Sequence, residues 1–162
     1  MGGADNMEIN RIVHIRLDQP DAPRLTPEAE HERSIAIYDL IEENSFSLPD
    51  ADGPYHLVLR SDARHIHFDV RDVEDLALAG FFLAMGPFRR IIRDYKMVCE
   101  TYYDAIRTKT PSQIQSIDMG RRSLHNEGAD LLKERLDGKV GMDDITARRL
   151  FSLICVLKAR GL

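Results

Sequence analysis

Between Ile9 and Leu17 alternate positions carry Ile9, Arg11, Val13, Ile15 and Leu17, while Asn10, Ile12, His14 and Arg16 form a mostly polar second face. That is the pattern of a half-buried strand. Residues 1–8 read as a loose start, and Gln19–Pro23 breaks the strand. A helix is predicted from Thr26, which can cap, with Pro27 at the first helical position, where its missing N–H costs nothing. It runs to about Asn44. Ala29, Ala36, Ile37, Leu40 and Ile41 cover one side, and His31, Ile35, Tyr38 and Glu42 form a second stripe, so contact from two sides is expected.

Tyr55–Arg60 and His65–Arg71 alternate as a hairpin. The pattern pairs Leu59 with Ile66, Leu57 with Phe68 and Tyr55 with Val70 on one side. The other side pairs Arg60 with His65, Val58 with His67 and His56 with Asp69. Asp62-Ala63 lacks the glycine of a tight two-residue turn, so a longer loop is expected. Leu76 to Met85 is apolar on both faces if extended: a strand covered on both sides, an interface strand, or a short helix.

Three helices complete the pattern. The first opens at Pro87 and runs to about Thr108, with Phe88, Ile91, Ile92, Tyr95, Cys99, Tyr102 and Ile106 at helical spacing. The second carries a capping box, Thr110 with Gln113, and ends near Gly138. The third starts around Asp143, ends at Gly161 and is apolar nearly all round, as befits the centre of a core. The fold expected is α+β. A small antiparallel sheet, the N-terminal strand plus a two- or three-strand meander, packs against four helices as a single domain over residues 1–162.

Composition narrows the function classes. The 162 residues carry 22 basic and 27 acidic side chains, a net charge of −5, which argues against nucleic acid as a partner. No secretory signal is visible, and the longest apolar stretch is too short to span a membrane. The two cysteines, Cys99 and Cys155, sit in helical apolar patterns as reduced thiols, which suits the cytoplasm. No phosphate-binding glycine loop, nucleophile elbow or zinc knuckle occurs, and His31-Glu32 lacks the second histidine of a zinc helix, since position 35 is Ile35. No cofactor is implied. Charge is uneven: the first half is acidic and residues 87–162 are basic. Either the acidic first helix lies against basic helices, or the basic helices hold an anion.

The candidate chemistry lies on the penultimate helix. Asp118, Arg121 and His125 fall within or beside its apolar stripe of Ile114, Ile117, Leu124, Leu131 and Leu132, so they must be paired or form a small polar site. In the site reading His125 and Glu127 are the acid/base pair, and Asp118, Arg121, Arg122, Asn126, Arg89 and Arg90 hold a small anionic ligand. In the core reading Arg121 meets an acid of the first helix. A His125→Ala replacement separates the two: folding is largely intact in the first and weakened by ~1–3 kcal/mol in the second. Gly128 on that face lets another backbone come close. His65 and His67 share a strand face with His56 nearby, but only Asp69 offers a fourth group, so a solvated polar face is expected and no metal site.

Several segments together resemble a bacterial uncharacterised protein family, the one numbered 0262. They are Glu30-His31-Glu32-Arg33, Asp39-Leu40-Ile41-Glu42-Glu43-Asn44, Gly53-Pro54-Tyr55, Pro87-Phe88-Arg89-Arg90-Ile91-Ile92, Asp118-Met119-Gly120-Arg121-Arg122, Leu124-His125-Asn126-Glu127-Gly128 and Ala147-Arg148-Arg149-Leu150-Phe151. The resemblance spans about residues 28–160 and implies a small bacterial, cytoplasmic protein; it brings no activity and no catalytic residues. The leading expectation is a non-enzymatic binding or regulatory domain, a homodimer. The alternative is an enzyme, or a binder of a small anionic metabolite, using the cluster around His125.

Overall fold

The computed structural model describes residues 9–18 and 26–158. The loose start, the Gln19–Pro23 break and the helix end at Gly161 lie outside the described residues. Strand β1 covers Ile12–Leu17. A β-bulge between Ile12 and His14 shifts its phase. Ile12 and Ile15 therefore turn into the core, and Val13, expected inside, is 37% exposed.

Helix α1, Pro27–Glu42, begins at the predicted cap: the Thr26 hydroxyl accepts from the Ala29 N–H at 3.1 Å. Its Ala36 and Leu40 are buried. The second stripe does not meet a neighbour as expected. Ile35 is 46% and Tyr38 66% exposed, and the helix is covered only on the side of Ala36 and Leu40. After α1 a two-residue strand, β2 (Phe46–Ser47), leads to β3 (Tyr55–Ser61), which lies parallel beside β1. The sheet is thus mixed rather than wholly antiparallel. The helix between β1 and β3 supplies the crossover that parallel neighbours require.

Strand β4, His65–Arg71, pairs antiparallel with β3. The inward face is the one predicted, but the register differs by one pleat. Leu59 lies opposite Phe68, Leu57 opposite Val70 and Ser61 opposite Ile66. The turn decides this. The Asp62 carboxylate accepts from the Arg64 and His65 N–H groups, both at 2.8 Å, and closes the connection over Asp62-Ala63-Arg64. Hydrophobic parity cannot see a shift of two residues, because it leaves every side chain on its original face.

The Leu76–Met85 segment forms β5, Ala77–Ala84, at the edge of a sheet ordered β1-β3-β4-β5. It is not covered on both sides. Leu83 and Met85 are buried, while Leu76 is 60% and Phe82 55% exposed.

A 3₁₀ turn, Gly86–Phe88, leads into α2, Arg89–Thr108, so Pro87 lies in the turn rather than in the α-helix. Helix α3, Pro111–Arg135, has the predicted capping box. A short β6, Gly141–Met142, pairs with β2. Helix α4, Asp144–Lys158, follows, and Asp143 Oδ1 accepts from the Thr146 N–H at 2.9 Å at its start. Leu150, Phe151, Leu153 and Ile154 of α4 are wholly buried, as the all-round apolar pattern requires. They share one core with Leu40, Tyr55, Phe68 and Phe88. Arg149 ties α4 to α1 by donating to the Asp39 and Glu43 carbonyls at 2.8 Å, where a cation meets the negative end of the helix dipole.

Candidate functional site

The predicted cluster on α3 is turned inward, into the junction of α2, α3 and α4. Asp118, i, i+3 and i, i+4 from two arginines, receives Arg121 Nε at 3.0 Å and Arg121 Nη2 at 2.7 Å, with Arg122 Nε at 3.0 Å. Its side chain is only 18% exposed. Arg121 therefore pairs within its own helix, not with an acid of α1. Its guanidinium lies 5.2 Å over the Tyr102 ring and interacts favourably with the Tyr95 side chain.

His125 stacks obliquely on Tyr95, with ring centroids 5.2 Å apart, and packs on Phe151 at 5.7 Å. Its Nε2 lies 2.8 Å from Ser152 Oγ. The Ser152 hydroxyl donates to the Arg148 carbonyl at 3.1 Å, which leaves its oxygen to accept from Nε2–H. Burial, followed by the charges of Arg121 and Arg148, holds the His125 pKa below its ordinary value. Burial also pushes up the Tyr95 phenol and the thiols of Cys99 and Cys155, so neither cysteine is an activated nucleophile. The arrangement is a neutral imidazole bonded to Ser152 beside an Asp118–Arg121 ion pair.

The other predicted residues do not join it. Glu127 is exposed and pairs with Arg90 at 3.1 Å, and Arg90 also reaches Asp94. Both line a groove of about 480 Å³ with Asp130, Glu134 and Arg135, where carboxylates outnumber guanidinium groups. Arg89 and Asn126 are exposed. Tyr95 and Ser152 complete the cluster. Tyr95 was legible only as part of an apolar stripe, and Ser152 carries no sequence signal, because its role depends on how α4 docks against α3. Gly128 does allow a close approach, but by the Phe151 ring rather than by a backbone: a Cβ there would stand 2.2 Å from Phe151 Cζ.

A pH experiment tests this packing. The unfolded chain protonates His125 near 6.5, and the folded chain only at lower pH. The stability His125 contributes is present above that value and is lost as pH falls through the depressed folded value. His125→Ala should lower stability by ~1–3 kcal/mol at pH 7.5, with the deficit shrinking toward pH 5. Denaturant melts across that range measure it; a pH-independent difference contradicts the buried neutral imidazole.

Residues 9–160 match the model of an uncharacterised protein family, UPF0262. A member from Rhodospirillum rubrum is 53% identical over 154 residues, covering 95% of this chain and 96% of its own. One from Ruegeria pomeroyi is 50% identical over 161 residues, covering 96% of this chain and all of its own. The expected resemblance is therefore membership: the chain belongs to this family. No solved structure matches it. Among the described residues no helix is long and apolar enough to cross a membrane.

Proposed function

We propose that this member of the UPF0262 family is a non-enzymatic binding domain that works as a homodimer in the cytoplasm, two copies joining through the β5 edge. One observation carries the reading: β5 is eight residues long, ends the sheet, and has neither a charged residue nor a proline. Native proteins usually blunt an open edge with such residues. The opposite edge is treated differently. There the Asn44 side chain accepts from the Ile12 N–H at 2.7 Å and donates to the Ile12 carbonyl at 2.9 Å, occupying the place of a further strand. A second β5, antiparallel about a two-fold axis, would satisfy the backbone groups that no strand among the described residues pairs, and would meet no like charge.

Sedimentation at micromolar concentration tests it. Wild-type chain should run as a dimer and Gly80→Lys as a folded monomer. A Cβ at Gly80 meets nothing nearer than the Phe68 carbonyl oxygen at 4.0 Å, so the fold accommodates the lysine. A monomeric wild type would end the proposal.

The second reading, an enzyme or small-anion binder, draws support from the half-buried Asp118, Arg121 and His125. Against it, Asp118 already takes the Arg121 fork, and the proposed acid/base partner Glu127 is engaged with Arg90. Inorganic phosphate should accordingly leave the NMR signals of Arg121 and His125 unmoved.

A further inference from the structure

The helices leave the outer face of the sheet to polar side chains, and β4 places His65 and His67 there, two residues apart, with Ile66 buried beneath. The three-residue turn folds Asp62 back over both rings. His67 Nε2 lies 2.7 Å from Asp62 Oδ2, and His65 Nδ1 lies 3.5 Å from Asp62 Oδ1. One ligand atom from each of the three residues falls within 4.8 Å of the others. We propose that Asp62, His65 and His67 bind a divalent transition-metal ion of the zinc type. This goes beyond the dimer reading and does not depend on it.

The spacing suits such an ion. Bonds of about 2.0–2.2 Å in tetrahedral array put ligand atoms ~3.3–3.5 Å apart, so the Asp62–His67 contact need open by less than an ångström. The carboxylate is oriented in advance, since its Oδ1 already accepts the Arg64 and His65 N–H groups while Oδ2 is directed at His67. The turn is held from beneath by Lys158, whose ammonium donates to the Asp62 and His65 carbonyls. Phe82 on β5 flanks both imidazoles, with ring centroids 4.9 Å from His65 and 6.1 Å from His67, and limits their rotation. Two imidazoles and one carboxylate favour zinc, cobalt or nickel over calcium or magnesium, which take oxygen sets. Three protein ligands leave a coordination position open to water. Arg60 lies opposite His67 across the strand pair and tempers the affinity.

Alternation along the strand points to Asp69 as the carboxylate, whereas the turn supplies it from Asp62. Calorimetric titration of zinc into the untagged full chain tests the proposal. One zinc per chain should bind with micromolar Kd. His65→Ala, His67→Ala and Asp62→Asn should each weaken it at least about tenfold, while His14→Ala/His56→Ala, which removes the other histidine pair of that face, should not. Should any variant fail to fold, imidazole NMR of the wild type decides: zinc should move His65 and His67 and leave His14, His56 and His125 in place. No saturable binding up to millimolar zinc, or binding indifferent to His65 and His67, overturns the site.

Discussion

Gly128→Ala will destabilise the fold by about 1–3 kcal/mol, the usual cost of forcing an added carbon into a packed core. Helix propensity alone gives the opposite sign, since alanine is better than glycine in a helix interior by ~1 kcal/mol. Contact geometry decides the matter: the new Cβ would stand 2.2–2.5 Å from three atoms of the wholly buried Phe151 ring. The ring cannot retreat freely, because Tyr95 and His125 pack against it. The steric cost should therefore exceed the propensity gain. A double-mutant cycle tests the cause. In a Phe151→Leu background, itself destabilised by the smaller side chain, Gly128→Ala should become neutral or stabilising by up to ~1 kcal/mol. Equal destabilisation in both backgrounds would place the clash elsewhere.

Asn44→Ala should cost about 2–4 kcal/mol, as expected when backbone groups lose their partners at ~1–3 kcal/mol each. The side chain accepts from the Ile12 N–H, and Nδ2 donates to the carbonyls of Ile12 and Leu40. It thus closes the open edge of β1 and the last turn of α1 together. Asn44→Asp should be worse still, since it keeps the acceptor but aims a carboxylate oxygen at two carbonyls. Chemical denaturation of both variants, with melting followed by circular dichroism, measures this. Wild-type stability in Asn44→Asp would show that the amide is dispensable.

The same contrast runs through the rest of the molecule. Helices α3 and α4 were legible because their caps and apolar spacing are local: Thr110 and Gln113 are three residues apart, and an all-round apolar helix has no place but the centre of the core. The α+β class followed from the succession of periods. The α3 cluster was half legible. That Asp118, Arg121 and His125 lie toward the apolar stripe is helical geometry, but Tyr95 and Ser152 arrive from other helices, and Glu127, only two residues past His125, points elsewhere.

Features that depend on the angle between successive residues can be read along the chain: the helices, the faces of the strands and the parity of the hairpin. Features that depend on a phase shift or on a meeting across long separation emerge only in the folded arrangement. The bulge in β1 turned Ile12 inward, Asp62 moved the β3–β4 register by one pleat, and the crossover set β1 parallel to β3. Those outcomes depend on which backbone groups find partners once segments meet. A hydrophobic pattern, repeating every two residues in a strand, is unchanged by a shift of two and says nothing about direction.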